Sequence, residues 1–427
     1  MSSEIVSVHG RRVWDSRGRP TVEAEVRLVT GAVGRSIAPA GASRGSREAA
    51  DLRDGGARLG GNDVTRAVAN INGEIADALT GFDAHDQAAV DATLIALDGT
   101  PAKSRLGGNA MVAVSLAVAQ AAAAAEGLPL WRYLAGERAV SLPLPEIQIF
   151  GGGAHARRRI DIQDLMVIPM SAESFSEALC VCADVYRAAG TLLDEAGTRS
   201  GVADEGGYWP AFSSNAEALS VLVRAIERAG YSPGDEVAIS LDVAASELCR
   251  DGRYYLGLDR REFDSDGLTE LLLGWIDRYP IVSIEDPFAE DDRDAWIGFA
   301  RAAGTRIQII GDDYLTTSAA RVAAAAADRA CNAVLLKPNQ AGTLSETLAA
   351  RDAAVRAGFG TIVSARSGET EDVAIVHIAV GWNAGQLKVG SFARGERTAK
   401  WNEGLRIEEA SGAAYAGATA LRRASSR

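Results

Sequence analysis

The chain has 427 residues, an apolar share of 47%, a charged share of 24% and a formal net charge of -13. That length allows two domains and a large core, and the composition is ordinary for a globular chain. The acidic balance argues against a nucleic-acid partner or an anionic lipid surface, so an anionic substrate must be drawn in by local metal or Arg/Lys charge.

In chain order, residues 5 to 40 alternate apolar and polar positions around the turn signals DSRGRP and Gly31, which predicts a small antiparallel meander. A glycine-rich piece, AGASRG at 40–45, follows and carries Ser43 on what should be a mobile loop. SREAADLRD reads as helical, as do 62–79 and 86–97. Residues 110–125, AMVAVSLAVAQAAAAA, are short for a membrane span and include Ser115 and Gln120, so an Ala-rich buried helix is expected. Sheet first, then helices, makes residues 1–136 an α+β N-terminal capping domain. Pro143 and Pro145 mark a linker into a second unit, 143–420.

The second unit opens with EIQIF, the loop GGGAHARRR and the strand-like IDIQDLMVIP. Further on, apolar runs repeatedly end in charged residues: VAISLD at Asp242, IVSIED at Glu285, IQIIGDD at Asp312, AVLLKP at Lys337, TIVSARS at Arg366 and Ser367. QLKVG carries Lys388, and helical patterns such as 318–327 and 343–357 fill the gaps. Strand, helix, strand at such spacing predicts an α/β barrel, whose functional groups sit at the C-terminal strand ends.

Three carboxylates at successive strand ends, with no cysteine and few histidines nearby, form a hard oxygen site suited to Mg²⁺. One acid at such a place is usually a helix cap; three in register are not explained that way. A lysine is ordinarily a solvated surface charge, but one buried near another ammonium and a divalent cation has a lowered pKa and can act as a base. Base plus metal points to proton abstraction beside a carboxylate.

Four cysteines, Cys180, Cys182, Cys249 and Cys331, are too scattered for a disulfide framework and are expected as buried free thiols in a reducing cytoplasm. Cys180 and Cys182 stand two apart in a helical pattern and so do not share a face. MSSEIVSVHGRRV has no apolar signal-peptide core, which also favours a cytoplasmic setting.

GRRVWDSRGRPTVEAEV, GASRG, ADEGG, SIEDPFAEDD, LLKPNQAGTLSET, SARSGETED, GQLKVG and SFARGER together resemble the signature stretches of the enolase family, in family order from about residue 5 to 410. The resemblance implies an enolase-type eight-stranded α/β barrel with one early antiparallel strand, and a lyase using two Mg²⁺ per site. Enolase-superfamily sites pair a lysine or histidine base with Mg²⁺. Position by position, it implies that Asp242, Glu285 and Asp312 hold the structural metal and that Ser43 helps hold the second. It implies that Lys337 takes the C2 proton and Lys388 neutralises the substrate carboxylate. Arg366 and Ser367 would bind phosphate, with Gln163 among the substrate contacts. Glu205, His155 and Asp164 would serve the C3 leaving group. It also favours a homodimer or higher homo-oligomer.

The pattern departs from the family in two ways. Ala365 replaces a histidine, and Asp164 replaces a glutamate, which retracts the carboxylate by roughly 1.5 Å. Arg44 and Arg157 to Arg159 add positive charge where the family has small or polar residues, and Arg44 and Arg157 are therefore expected among the substrate ligands. Together these imply a diverged enolase with a more anionic substrate or leaving group, akin to the carboxyphosphonoenolpyruvate synthases of phosphonate biosynthesis. A genuine phosphopyruvate hydratase is the alternative, and a non-catalytic enolase-like binding protein is an alternative of another class. The substrate expected is a small phosphorylated or phosphonylated carboxylate.

Overall fold

The computed structural model describes residues 3–157 and 159–421. Three antiparallel strands, Ile5–Trp14, Pro20–Leu28 and Val33–Ile37, form the expected meander. Its first turn is set by Asp15, whose Oδ1 accepts the backbone N–H groups of Arg17 and Arg19 at 2.9 Å each. Val22, Ala24, Val26 and Leu28 are buried on one face. The helix Gly108–Ala125 packs on this sheet, and its alanines let the backbones come close: a Cβ on Gly34 would meet Ala117 O at 2.1 Å. This helix is long and apolar enough to cross a membrane, yet 83% of it is buried inside the fold, as a core helix requires.

The expected helix at SREAADLRD does not form. Its local propensity is overridden by tertiary bonds, since Ala49 N–H donates to Gln340 O and Ala50 N–H to Ala102 O, while Gly45 N–H donates to the Glu48 carboxylate. Cys180 is also exposed rather than buried, whereas Cys182 and Cys331 are buried, so the separate faces of Cys180 and Cys182 are borne out.

Eight strands close into a barrel: Leu144–Gly151, Asp164–Pro169, Val237–Asp242, Ile281–Glu285, Gln308–Gly311, Ala333–Leu336, Gly360–Ser364 and Gln386–Gly390. The last pairs in parallel with the first, which leaves no edge. The second strand runs antiparallel to both neighbours. Its first residue, Asp164, therefore stands beside Gly151 and Asp242, at the same mouth as the other strands' ends. Helices between the forward strands start at side-chain caps; Ser318 and Thr343 accept from the N–H of Arg321 and Glu346. Below the mouth a chain of buried polar groups crosses the barrel: Ser283 Oγ donates to Gln308, Gln308 Nε2 to Gln386 at 2.8 Å, and Gln386 Nε2 to Glu146 at 2.6 Å.

Candidate active site

The sheet's register brings the charged strand ends together. Asp242 and Glu285 end adjacent strands and pair directly, Asp312 and Lys337 follow the next two, and Lys388 pairs with Ser364. Asp242, Lys337 and Lys388 open onto a cavity of about 10 Å³, room for roughly one water, while Glu285 and Asp312 lie against the two lysines without lining it. Ser43, His155, Gln163, Asp164, Glu205, Asp242, Lys337, Lys388 and the run Ser364 to Ser367 line it.

Lys388 is buried among three acids, 2.8 Å from Glu285 Oε2, 3.0 Å from Asp242 Oδ2 and 3.2 Å from Asp164 Oδ2. Burial opposes its charge, but Asp242, Glu285 and Asp164 outweigh burial and hold the ammonium well above its ordinary value. Lys337 is ion-paired to Asp312, and that carboxylate likewise outweighs burial and raises the Lys337 pKa. The sequence led us to expect a lowered lysine; the direct Asp312 contact reverses the direction. Acids outnumber amines here, and Glu285 carries the surplus. Burial first, then the charge of Asp242, pushes its carboxyl well up, and its Oε1 is buried without a hydrogen-bond partner.

On the other side of the cavity, His155 Nδ1 lies 3.0 Å from Asp164 Oδ1, and Nε2 lies 2.9 Å from Ser367 Oγ and 3.6 Å from Glu205 Oε1. Burial disfavours the imidazolium, but the carboxylates of Glu205 and Asp164 prevail and raise His155 to about 9. Protonated at neutral pH, its two ring nitrogens both donate. Gln163 Nε2 donates to Asp242 Oδ2 at 3.1 Å and reaches Ser43 Oγ at 3.4 Å.

The third side is cationic. Arg366 grips Glu48 through both terminal nitrogens, at 3.0 and 3.2 Å, and also donates to Asn339 Oδ1 and to the Ser43 carbonyl, both at 3.1 Å. A fully buried Arg397 donates to the carbonyls of Arg366, Ser367 and Val389, which fixes the loop that presents Ser367.

Two residues expected to bind substrate stand elsewhere. Arg44 does not line the cavity; it is half exposed, with its guanidinium 3.7 Å from Asp51. Arg157 is exposed in a left-handed conformation (φ 51°) just after the turn Gly153–Ala156, again off the cavity. Arg159 is exposed too and lies over the Trp209 ring and against Ser200, while Arg158 lies outside the described residues. For Arg157 the reason is local: the left-handed backbone just after the turn leaves that side chain exposed. Sequence reading missed Glu48, Gln340 and Gln148. Gln340 Nε2 donates to Asp312 Oδ1 at 2.8 Å and to Glu48 Oε1 at 3.2 Å. Glu48 was masked by its helix-like surroundings; only the buried position of a glutamine in a strand, EIQIF, could have drawn attention to Gln148.

Do these residues suit Mg²⁺? Donors that are all oxygen, a surplus of buried negative charge and the unpartnered Glu285 Oε1 fit a hard divalent cation. Asp242, Glu285 and Asp312 would hold it. Among the described residues, the groups that bring three ligand atoms within 4.8 Å of one another are His155 with Asp164 and Glu205, and Asp286 with Asp312 and Asp313; Asp242, Glu285 and Asp312 do not form such a group, since Lys388 pairs with the first two and Lys337 with the third. Asp312 thus has acids on two sides, and burial with Asp312's charge raises Asp313 to about 8.

A closed barrel with one reversed strand and a mouth of acids facing amines is an α/β-barrel scaffold of the kind that carries enzyme sites, with acidic clusters that could hold a metal ion. Residues 5–134 match the family model described as the enolase N-terminal domain, and residues 139–424 match that of the enolase C-terminal TIM barrel domain. The chain belongs to the enolase family, and this membership supports a lyase of the enolase superfamily.

Proposed function

We propose that the protein is a Mg²⁺-dependent lyase that removes a proton alpha to a carboxylate and expels a beta leaving group to give an enolpyruvate. The observation that carries this reading is the meeting of Lys337, Lys388, Asp242 and Arg366 on one cavity, with Asp312 and Glu285 ion-paired to the two lysines. Lys337, neutral only when a ligand other than its ammonium engages the Asp312 charge, takes the C2 proton; Lys388 neutralises the carboxylate, Arg366 with Ser367 holds the phosphorus oxygens, and Gln163 is a further substrate contact. The C2–H electron pair first delocalises into the carboxylate, then forms the C2–C3 double bond as the C3–O bond breaks; the departing oxygen keeps that bond's pair and takes a proton from His155, beside Glu205 and Asp164. Asp242, Glu285 and Asp312 would hold a divalent cation and Ser43 would help hold a second; bound there, they would supply positive charge that favours deprotonation beside a carboxylate.

The substrate we infer is a phosphorylated or phosphonylated carboxylate that is more anionic than 2-phosphoglycerate, as for a carboxyphosphonoenolpyruvate synthase, or that carries a larger or anionic leaving group. Two cavity-lining positions support this: Ala365 in place of the family's histidine, and the shortened Asp164. Arg44 and Arg157 lend no support, given their outward positions. His155, protonated up to about pH 9, suits protonation of an anionic leaving group. The intact set of base and metal ligands favours phosphopyruvate hydratase as the second reading. We further propose a homodimer or higher homo-oligomer.

The deciding experiment compares Mg²⁺-dependent turnover of 2-phosphoglycerate by the wild type and by Ala365→His with Asp164→Glu. We expect slow turnover in the wild type and a gain of about a hundredfold in the double variant. Wild-type turnover already at ordinary enolase rates would exclude the altered substrate.

A further inference from the structure

The first barrel strand, Leu144–Gly151, is buried along its whole length yet carries two polar side chains, Glu146 and Gln148. A buried amide must spend its donor and acceptor on specific partners. Gln148 spends them on two different parts of the cavity wall. Its Nε2 donates to Asp164 Oδ1, the same oxygen that meets His155 Nδ1. Its Oε1 accepts from Gly207 N–H at 2.8 Å, and Gly207 closes the turn that carries Glu205 by accepting from Ala203 N–H at 2.8 Å.

The fit leaves no slack. A Cβ on Gly207 would stand 2.5 Å from Gln148 Oε1, and one on Gly151 would stand 2.4 Å from the Ala203 Cβ. Gln148 itself does not line the cavity, so it touches neither substrate nor reacting atoms.

We propose that Gln148 is a positioning residue: one amide sets the distance between Asp164 and the Glu205 turn, and so fixes the two carboxylates that flank His155. Asp164 Oδ1 meets both the Gln148 amide and the imidazole while Oδ2 faces Lys388, so the amide fixes the oxygen that His155 meets. A displacement of about 1 Å at such a group costs on the order of a hundredfold in rate. The kinetic arm of the test rests on the lyase reading above; the structural arm does not.

Two variants separate positioning from general support. Gln148→Leu removes both bonds. Gln148→Glu keeps the acceptor for Gly207 N–H but sets a second carboxylate against Asp164. With Mg²⁺ and 2-phosphoglycerate, or the double variant above if it is the faster enzyme, Gln148→Leu should lose kcat tenfold or more with KM within about threefold. Amide exchange at 203–207 should quicken in Gln148→Leu and stay slow in Gln148→Glu, while both lose kcat. Wild-type kcat in both variants overturns the proposal, as does a loss matched by an equal loss of folded protein. If neither the wild type nor the double variant turns over 2-phosphoglycerate, the lyase reading fails for that substrate. Exchange then decides the link alone: faster exchange at 203–207 in Gln148→Leu upholds it, and unchanged exchange overturns it.

Discussion

Lys388 and Glu146 stand opposite each other in the ladder that closes the barrel. Burial pushes the Glu146 carboxyl up to about 7, against the opposing pull of Lys388 and the Gln386 amide, while the charges of Asp242 and Asp164 add to the rise. A carboxyl raised in the folded state contributes its full stability below its unfolded value and loses it as pH climbs through the folded one. Glu146→Gln should therefore flatten the fall in stability between about pH 4.5 and 7, leaving the variant up to about 3 kcal/mol more stable than wild type at pH 8. Urea unfolding at pH 5 and pH 8 in the presence of a chelator measures this; parallel curves for the two proteins would contradict it.

His155 offers a second pH handle. Its pKa near 9 depends on Glu205 and Asp164 overcoming burial, so its contribution to stability is complete below about pH 6.5 and disappears as pH rises through 9. Asp164→Asn should lower the imidazole midpoint by about one unit or more. Titration of the His155 ring by NMR reads it directly, and an unshifted midpoint would mean that Asp164 does not hold that proton.

Mg²⁺ should stabilise the wild type, by about 2.7 kcal/mol at a hundredfold excess over its dissociation constant. Glu285→Gln removes the surplus carboxyl with its unpartnered oxygen. The variant should match or exceed wild-type melting temperature in chelator and lose the response to Mg²⁺. A Mg²⁺ shift equal to the wild type's would move the ion away from Glu285.

Glu48 holds Arg366 from a part of the chain 318 residues away, and both side chains are buried. Removing one partner of such a pair costs roughly 3 kcal/mol or more, because the other charge is left without its match. Glu48→Ala should show that loss in unfolding experiments and weaken binding of inorganic phosphate; Arg366→Met with Glu48→Met should recover part of the stability but not the binding.

Much of the rim was legible because a barrel strand is a buried apolar run, and a charge at its end has only the mouth to occupy. Asp242, Glu285, Asp312, Lys337 and Lys388 were found on that basis. What failed depends on neighbours that sequence does not reveal. Lys337 was expected with a lowered pKa, since nothing in AVLLKP says that Asp312 is its nearest charge. The stretch 46–54 has helix-forming residues, but its backbone bonds to Gln340 and Ala102 instead. The direction of Arg157 follows from a left-handed φ at a non-glycine residue, a local choice that no periodicity encodes.

The reversed second strand makes the first two strands an antiparallel hairpin, spanning 144–169, that supplies Gln148, His155, Gln163 and Asp164. Lys337, Lys388 and the carboxylates Glu285 and Asp312 come from strands outside it. Under the proposed chemistry one contiguous stretch of gene encodes His155 and Asp164 together, while Glu205 and position 365 join them from later segments; a hairpin exchanged as one cassette between family members would carry that part of the leaving-group wall and leave both lysines as they were.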